Sequence, residues 1–103
     1  MARAHFVVGA AHEAFGGTHG GALYALLDAV CMLALLPALP AGQHAVTHDL
    51  HVSMMRTVRP GARCDLEGQV VRIGRTLAFI EGVARVDGQV VASARVTKSL
   101  TNA

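Results

Sequence analysis

The segment Gly20–Leu36, GGALYALLDAVCMLALL, carries a single charge, Asp28, and is otherwise apolar on every side when wound as a helix. Alanine and leucine dominate it, Thr18 precedes it and Pro37 stops it, so it reads as the one helix of the chain. A helix that is apolar all round cannot lie on a flat sheet with its back in water. The economical solution is a strongly curved sheet wrapped around it, with a second copy of the chain covering what remains. A membrane span is the competing solution, because Ala22 to Ala41 is 20 residues with one charge. A central aspartate costs ~2.5–3.5 kcal/mol on insertion. Pro37 and Pro40 also interrupt the end of the run, and the rest of the chain reads as sheet.

The remaining residues supply that sheet. His5–Val8 is a short strand signal, followed by the loop GAAHEAFGGTHGG and then the helix. In HAVTHDLHVSMM, alternation places Val46, Leu50, Val52 and Met54 on one face and Thr47, Asp49 and Ser53 on the other. CDLEGQVVRI, TLAFIEGVARV and QVVASARVTKSL are further strands; the last has Val90, Ala92, Ala94 and Val96 on one face. RPGA at 59–62 is a turn, Gly74–Arg75 is a tight connection, and Asp87–Gly88 is a type I′ hairpin signal. Gly68, Gly82, Ala78 and Ala84 let the sheet bend and the helix come close. The order β-α-β-β-β-β, an α+β class with about five antiparallel strands around one long helix, is the hotdog arrangement. One domain spans residues 1–103.

Composition narrows the function classes. Hydrophobic residues make up 52% and charged residues 16% of the 103 residues, more apolar surface than one small body hides, which predicts a homo-oligomer. A net charge of +2, one tyrosine and no tryptophan argue against nucleic acid. Cys31 and Cys64 fit neither a disulfide framework nor a CxxC pattern, and the first residues show no signal-peptide pattern, so a cytoplasmic protein is expected. The six histidines lack metal-ligand spacing: His44 and His48 fall about 13 Å apart along one strand face. No GxSxG elbow is present.

Two features of the helix carry chemistry. His19, Gly20 and Gly21 open it, and a glycine pair there presents free backbone N–H groups backed by the helix dipole, suited to an anion or an oxyanion. The plainer reading is a tight turn. Asp28 is either a carboxylate satisfied by nearby backbone or a wet groove, or a general base or nucleophile in an apolar pocket. Gly20 and Asp28 are eight residues apart, about 12 Å along one helix, so they cannot grip one carbonyl from the same chain. Two helices antiparallel about a two-fold axis bring Gly20 of one chain beside Asp28 of the other. Arg72 and Arg75 read either as solvated strand-end charges or as partners for phosphates. Met32, Met54, Met55 and Tyr24 read as packing residues or as lining of an acyl pocket.

HGGALYALLD resembles the HGG-x(6)-D segment of hotdog-fold acyl-CoA thioesterases of the phenylacetate-degradation (PaaI-like) type. VTHDLHVSMMRTVRPG, VVRIGRTLAF and DGQVVASARVTKSL extend the resemblance over nearly the whole chain from His12, and GRTLAF through TKSL is similar to the mammalian thioesterase-superfamily acyl-CoA thioesterases. The resemblance implies a homodimer, often paired into a homotetramer, that hydrolyses an acyl-CoA to free acid and CoA. It implies no cofactor, the CoA thioester being the substrate. By the same resemblance Asp28 is the catalytic carboxylate, the Gly20 N–H is the oxyanion donor from the neighbouring subunit, and Thr47 is a hydroxyl that helps place the attacking water. Arg72, Ile73, Gly74, Arg75, Thr76 and Leu77 match the turn that contacts CoA, and Met54 and Ser99 match further CoA contacts with altered side chains.

The chain departs from the resemblance at Glu13, where relatives carry an Asn or Gln whose amide holds the thioester carbonyl. An ionised Glu13 cannot donate a hydrogen bond. The donor is then a protonated Glu13, His12 or His19, or the site is weakened. A non-catalytic acyl-CoA-binding protein and a hotdog dehydratase or hydratase are the alternative functions. Many relatives carry an N-terminal helix, and no counterpart to it is expected in this sequence.

Overall fold

The computed structural model describes residues 1–7, 13–14, 17–18, 20–59 and 61–102. Strands β1 (Ala2–Val7), β2 (Glu13–Ala14) and β3 (Gly17–Thr18) precede helix α1 (Gly20–Leu35). Strands β4 (Gln43–Met54), β5 (Arg63–Ile73), β6 (Leu77–Val86) and β7 (Gln89–Asn102) follow. The large sheet is antiparallel in the order β1-β5-β6-β7-β4. One helix against a five-stranded antiparallel sheet is the hotdog arrangement expected from the sequence. The added element is the β2–β3 ribbon, in which Glu13 pairs with Thr18 and Ala14 with Gly17. Alternation is too short there to be read from the sequence, and backbone pairing alone defines it.

Helix α1 ends at Leu35, and a 3₁₀ turn over Leu36–Ala38 closes with the Leu39 N–H donating to the Leu36 carbonyl at 3.3 Å. Pro37 disfavours the α conformation at the residue before it, so the helix tightens and stops. At the β6–β7 hairpin Asp87 and Gly88 take φ 51° and 78°, the two positive angles a type I′ turn requires.

The core lies between α1 and one face of the sheet. Leu23, Leu27 and Leu35 of the helix are fully buried, each contributing roughly 1.5–3 kcal/mol, against Leu66, Ile80 and Val96 of the strands. Gly68 and Gly82 allow the helix to approach. A Cβ on Gly68 would stand 2.6 Å from the Val30 carbonyl oxygen, and one on Gly82 would stand 2.9 Å from Cys31 Sγ. The opposite side of α1 is uncovered: Tyr24 is 41% and Leu33 51% exposed. The chain's own sheet therefore hides one face of the apolar helix and not the other.

Strand β4 departs from simple alternation. Its pairing with β7 shifts between Thr47 and Asp49, a bulge that sets His48 out of the ladder. Leu50 and Val52 pack on the core as expected, while Val46 is 57% exposed and Ala45 packs inward instead. The bulge thus moves Thr47 from the outer face to the face that looks at the helix.

Candidate active site

Asp28 lies on α1 one turn after Leu23–Tyr24, at the border between the buried side of the helix and the uncovered side. Its carboxylate meets two side chains of the sheet. The Thr47 hydroxyl donates to Oδ1 at 3.0 Å, and Lys98 Nζ donates to the same Oδ1 at 3.1 Å. Lys98 Nζ also donates to Thr47 Oγ1 at 2.8 Å, which closes a three-membered cluster. Lys98 is 3% exposed, and it is the only buried charged side chain among the described residues. A buried ammonium is tolerated only with acceptors close by, and this one has a carboxylate and a hydroxyl. Asp28 is partly open, its side chain 35% exposed, and Oδ2 has no hydrogen-bond partner among the described residues. Among the described residues, one carboxylate oxygen is thus anchored and the other has no partner.

Register explains the meeting. Thr47 pairs with Lys98, Lys98 with Ala78, and Ala78 with Ile73, so these residues form one row across four strands on the helix side of the sheet. Ala78 is small and fully buried, and beside it the lysine stem has room. Cys31, one turn beyond Asp28, records the electrostatics: burial and, after it, the Asp28 charge raise its thiol, the Lys98 charge opposes them, and the outcome is about 11.

The turn at residues 74–76 sits at the same end of the sheet. The Gly74 N–H donates to the Leu77 carbonyl at 2.7 Å, and the Leu100 N–H donates to the Thr76 carbonyl at 2.9 Å. Arg75 and Thr76 are exposed at this turn. Ile73 falls on the helix side, while Arg72, paired with Phe79, falls on the opposite side of the sheet. Leu77 pairs with Ser99, whose Oγ lies 3.4 Å from Nδ1 of the bulged His48. Residues 73–77 and Ser99 therefore lie beside the Asp28 row in the sheet, with Leu77 and Ser99 on the face away from the helix. Met54 does not join them within one chain: it pairs with Ala92, seven residues or about 24 Å along β7 from Ser99.

The helix begins at Gly20, so the Gly20 N–H belongs to the first turn, where no intrahelical acceptor exists. Gly20 and Asp28 remain about 12 Å apart along α1. Glu13 lies in β2, paired with Thr18 two residues before that helix start. His12 and His19 lie outside the described residues. The described residues hold no cluster of three or more metal-ligating side chains, and no helix is long and apolar enough to cross a membrane.

Lys98 is the residue that sequence reasoning missed. Carrying the alternation of Ala92, Ala94 and Val96 two residues further lands on Lys98, a charge in a core-facing position. A lone acid in the helix and a lone base on the sheet's inner face are each other's natural partners.

One helix packed against a five-stranded antiparallel sheet, with a partly buried carboxylate between them, defines a hotdog fold with a candidate acid–base group. Residues 15–93 match the thioesterase superfamily, and the chain belongs to that superfamily. The structure is similar to a phenylacetic acid degradation-related protein from Ralstonia eutropha (28% identity, TM-score 0.87, covering 94% of this chain and 74% of that one). It is also similar to zebrafish thioesterase superfamily member 2 (27% identity, TM-score 0.87, 96% and 73%). A Streptococcus mutans protein solved with acetyl-CoA shares the fold (24% identity, TM-score 0.88, 97% and 80%). No curated protein matches the sequence. The chain is accordingly a thioester hydrolase by family.

Proposed function

We propose that the protein hydrolyses acyl-CoA thioesters to the free acid and CoA, with Asp28 as the catalytic carboxylate. The observation that carries this reading is the half-open Asp28, with Oδ1 anchored by Thr47 and Lys98 and Oδ2 without a partner among the described residues. As general base, Oδ2 takes a proton from water while the water oxygen bonds to the thioester carbon. The tetrahedral oxyanion collapses, the C–S bond breaks, and the proton passes to the departing CoA thiolate. As nucleophile, Oδ2 displaces the thiolate directly and the resulting anhydride is hydrolysed.

The oxyanion donor in this proposal is the Gly20 N–H of a second copy, because Gly20 of the same chain is too far along the helix. The uncovered apolar side of α1 and the position of β4 at the sheet edge, one flank unpaired among the described residues, favour a homodimer. Arg75, Thr76 and Ser99 contact the CoA moiety, whose phosphates suit an exposed guanidinium. Thr47 orients Asp28, and through it the attacking water.

Thiol release from a panel of acyl-CoAs tests the reading. Wild type should turn over, and Asp28→Asn should lose at least a hundredfold in kcat; normal turnover by the variant would discard Asp28 as the catalytic group. Glu13 bears on the alternative, an acyl-CoA-binding protein without turnover, since an ionised carboxylate there offers the carbonyl no donor. Glu13→Gln should keep or raise the rate. Tight CoA binding with no thiol release by either chain would favour the binding protein.

A further inference from the structure

We infer that Lys98 is a positioning residue that locks Asp28 and Thr47 into one orientation, reserving Oδ2 of Asp28 for the reaction. The inference rests on the thioesterase reading and adds a residue to it. Lysine has three donors and no acceptor, so Thr47 Oγ1 must accept from Nζ at 2.8 Å. A hydroxyl that accepts from Lys98 has one proton left to place, and at 3.0 Å it is donated to Asp28 Oδ1. The same Oδ1 accepts from Nζ at 3.1 Å. Two donors on one oxygen fix the carboxylate against rotation about its terminal bond and settle which oxygen is free. They also commit the Thr47 hydroxyl, so any water at the site is oriented by Oδ2 and not by a Thr47 proton. The ammonium cannot leave this arrangement at low cost, because Lys98 is 3% exposed and water cannot replace its acceptors.

The residue has no direct path to a substrate bound on the open side of Asp28, and its effect should therefore pass through the carboxylate. Holding a reacting group in one geometry accelerates the step without tightening ground-state binding. Lys98→Met keeps the stem and removes the charge. Expected are a fall in kcat of at least tenfold, a KM for acyl-CoA within about twofold of wild type, and a cooperative melt showing that the chain is folded. In an Asp28→Asn background the same change should cost nothing more. Lys98→Ala, assayed well below its melting midpoint, should regain kcat with propylammonium and not with 1-propanol. An unchanged kcat in folded Lys98→Met overturns the inference, as does a loss that multiplies with that of Asp28→Asn. Equal rescue by the alcohol overturns it too, since volume and not charge would then be at stake. A wild type that releases no thiol from any acyl-CoA removes the thioesterase reading itself, and that outcome is told apart from the others because wild type is read first in the same assay.

Discussion

On the flank of α1 that lies over β5 and β6, the sheet approaches so closely that Gly68 has no room for a methyl group beside the Val30 carbonyl. On the flank that looks toward β7 and β4, the space between helix and sheet holds a lysine, a threonine and an aspartate. The same helix thus makes a dry contact on one side and a polar one on the other, a few ångströms apart. The first sets the height of the helix above the sheet. The second uses that height, since Asp28 reaches Oδ1 contacts of 3.0 and 3.1 Å only if the helix sits where the glycines let it sit. Stability and chemistry are therefore lodged in different strands but share one spacing.

Substitutions on the dry flank should break this contrast most sharply. Gly68→Ala forces a Cβ against helix backbone at 2.6 Å, and backbone has little freedom to yield. A loss of about 3 kcal/mol in urea unfolding is expected, the upper end for overpacking and only partly offset by the stiffer unfolded chain. The thiol-release rate of the surviving folded protein should fall as well, because the helix is lifted away from Lys98. Gly82→Ala meets Cys31 Sγ at 2.9 Å and Leu27 Cδ2 at 3.3 Å, both on side chains that can move. A loss of about 1 kcal/mol with nearly normal turnover is expected there. If the two variants were equally destabilised, the idea that Gly68 sets the helix height would fail.

The smallest expected effect concerns the thiols beneath the dry flank. Burial pushes Cys31 and Cys64 up to about 11 from an ordinary 9.0, with the charges of Asp28 and Asp65 adding to the respective shifts. An unfolded chain ionises these thiols first. Their contribution to stability is complete below about pH 9 and is lost as the pH rises to about 11. Between those limits the urea midpoint of wild type should drop more than that of a Cys31→Ala/Cys64→Ala variant. Iodoacetamide at pH 8 should label neither thiol until the chain unfolds.

Much of the fold was legible because its signals are local. Pro37 marks the helix end, Asp87–Gly88 marks the hairpin, and the small residues Gly68 and Gly82 mark where helix and sheet touch. Asp28 was legible as an acid out of place. What stayed hidden depends on partners distant in the chain. Strand β1 lies beside β5, a neighbour that no local pattern names. Lys98 is 70 residues from Asp28, and its importance emerges only when both charges are seen to face the same gap. Strand β4 misled for a related reason: alternation assumes an unbroken ladder, while the extra residue at His48 is defined by pairing with β7.

That extra residue gives β4 something like a reading frame. In the unshifted frame, counting back from Leu50, His48 and Val46 would look at the helix, and Lys98 would face an imidazole. In the frame the chain adopts, Thr47 and Ala45 look inward and Lys98 faces a hydroxyl. Which of two adjacent side chains stands beside the carboxylate is thus decided by a single skipped residue. Insertions or deletions near position 48 would act on this strand as frameshifts, rewriting the polar half of the site while leaving every residue of the helix unchanged.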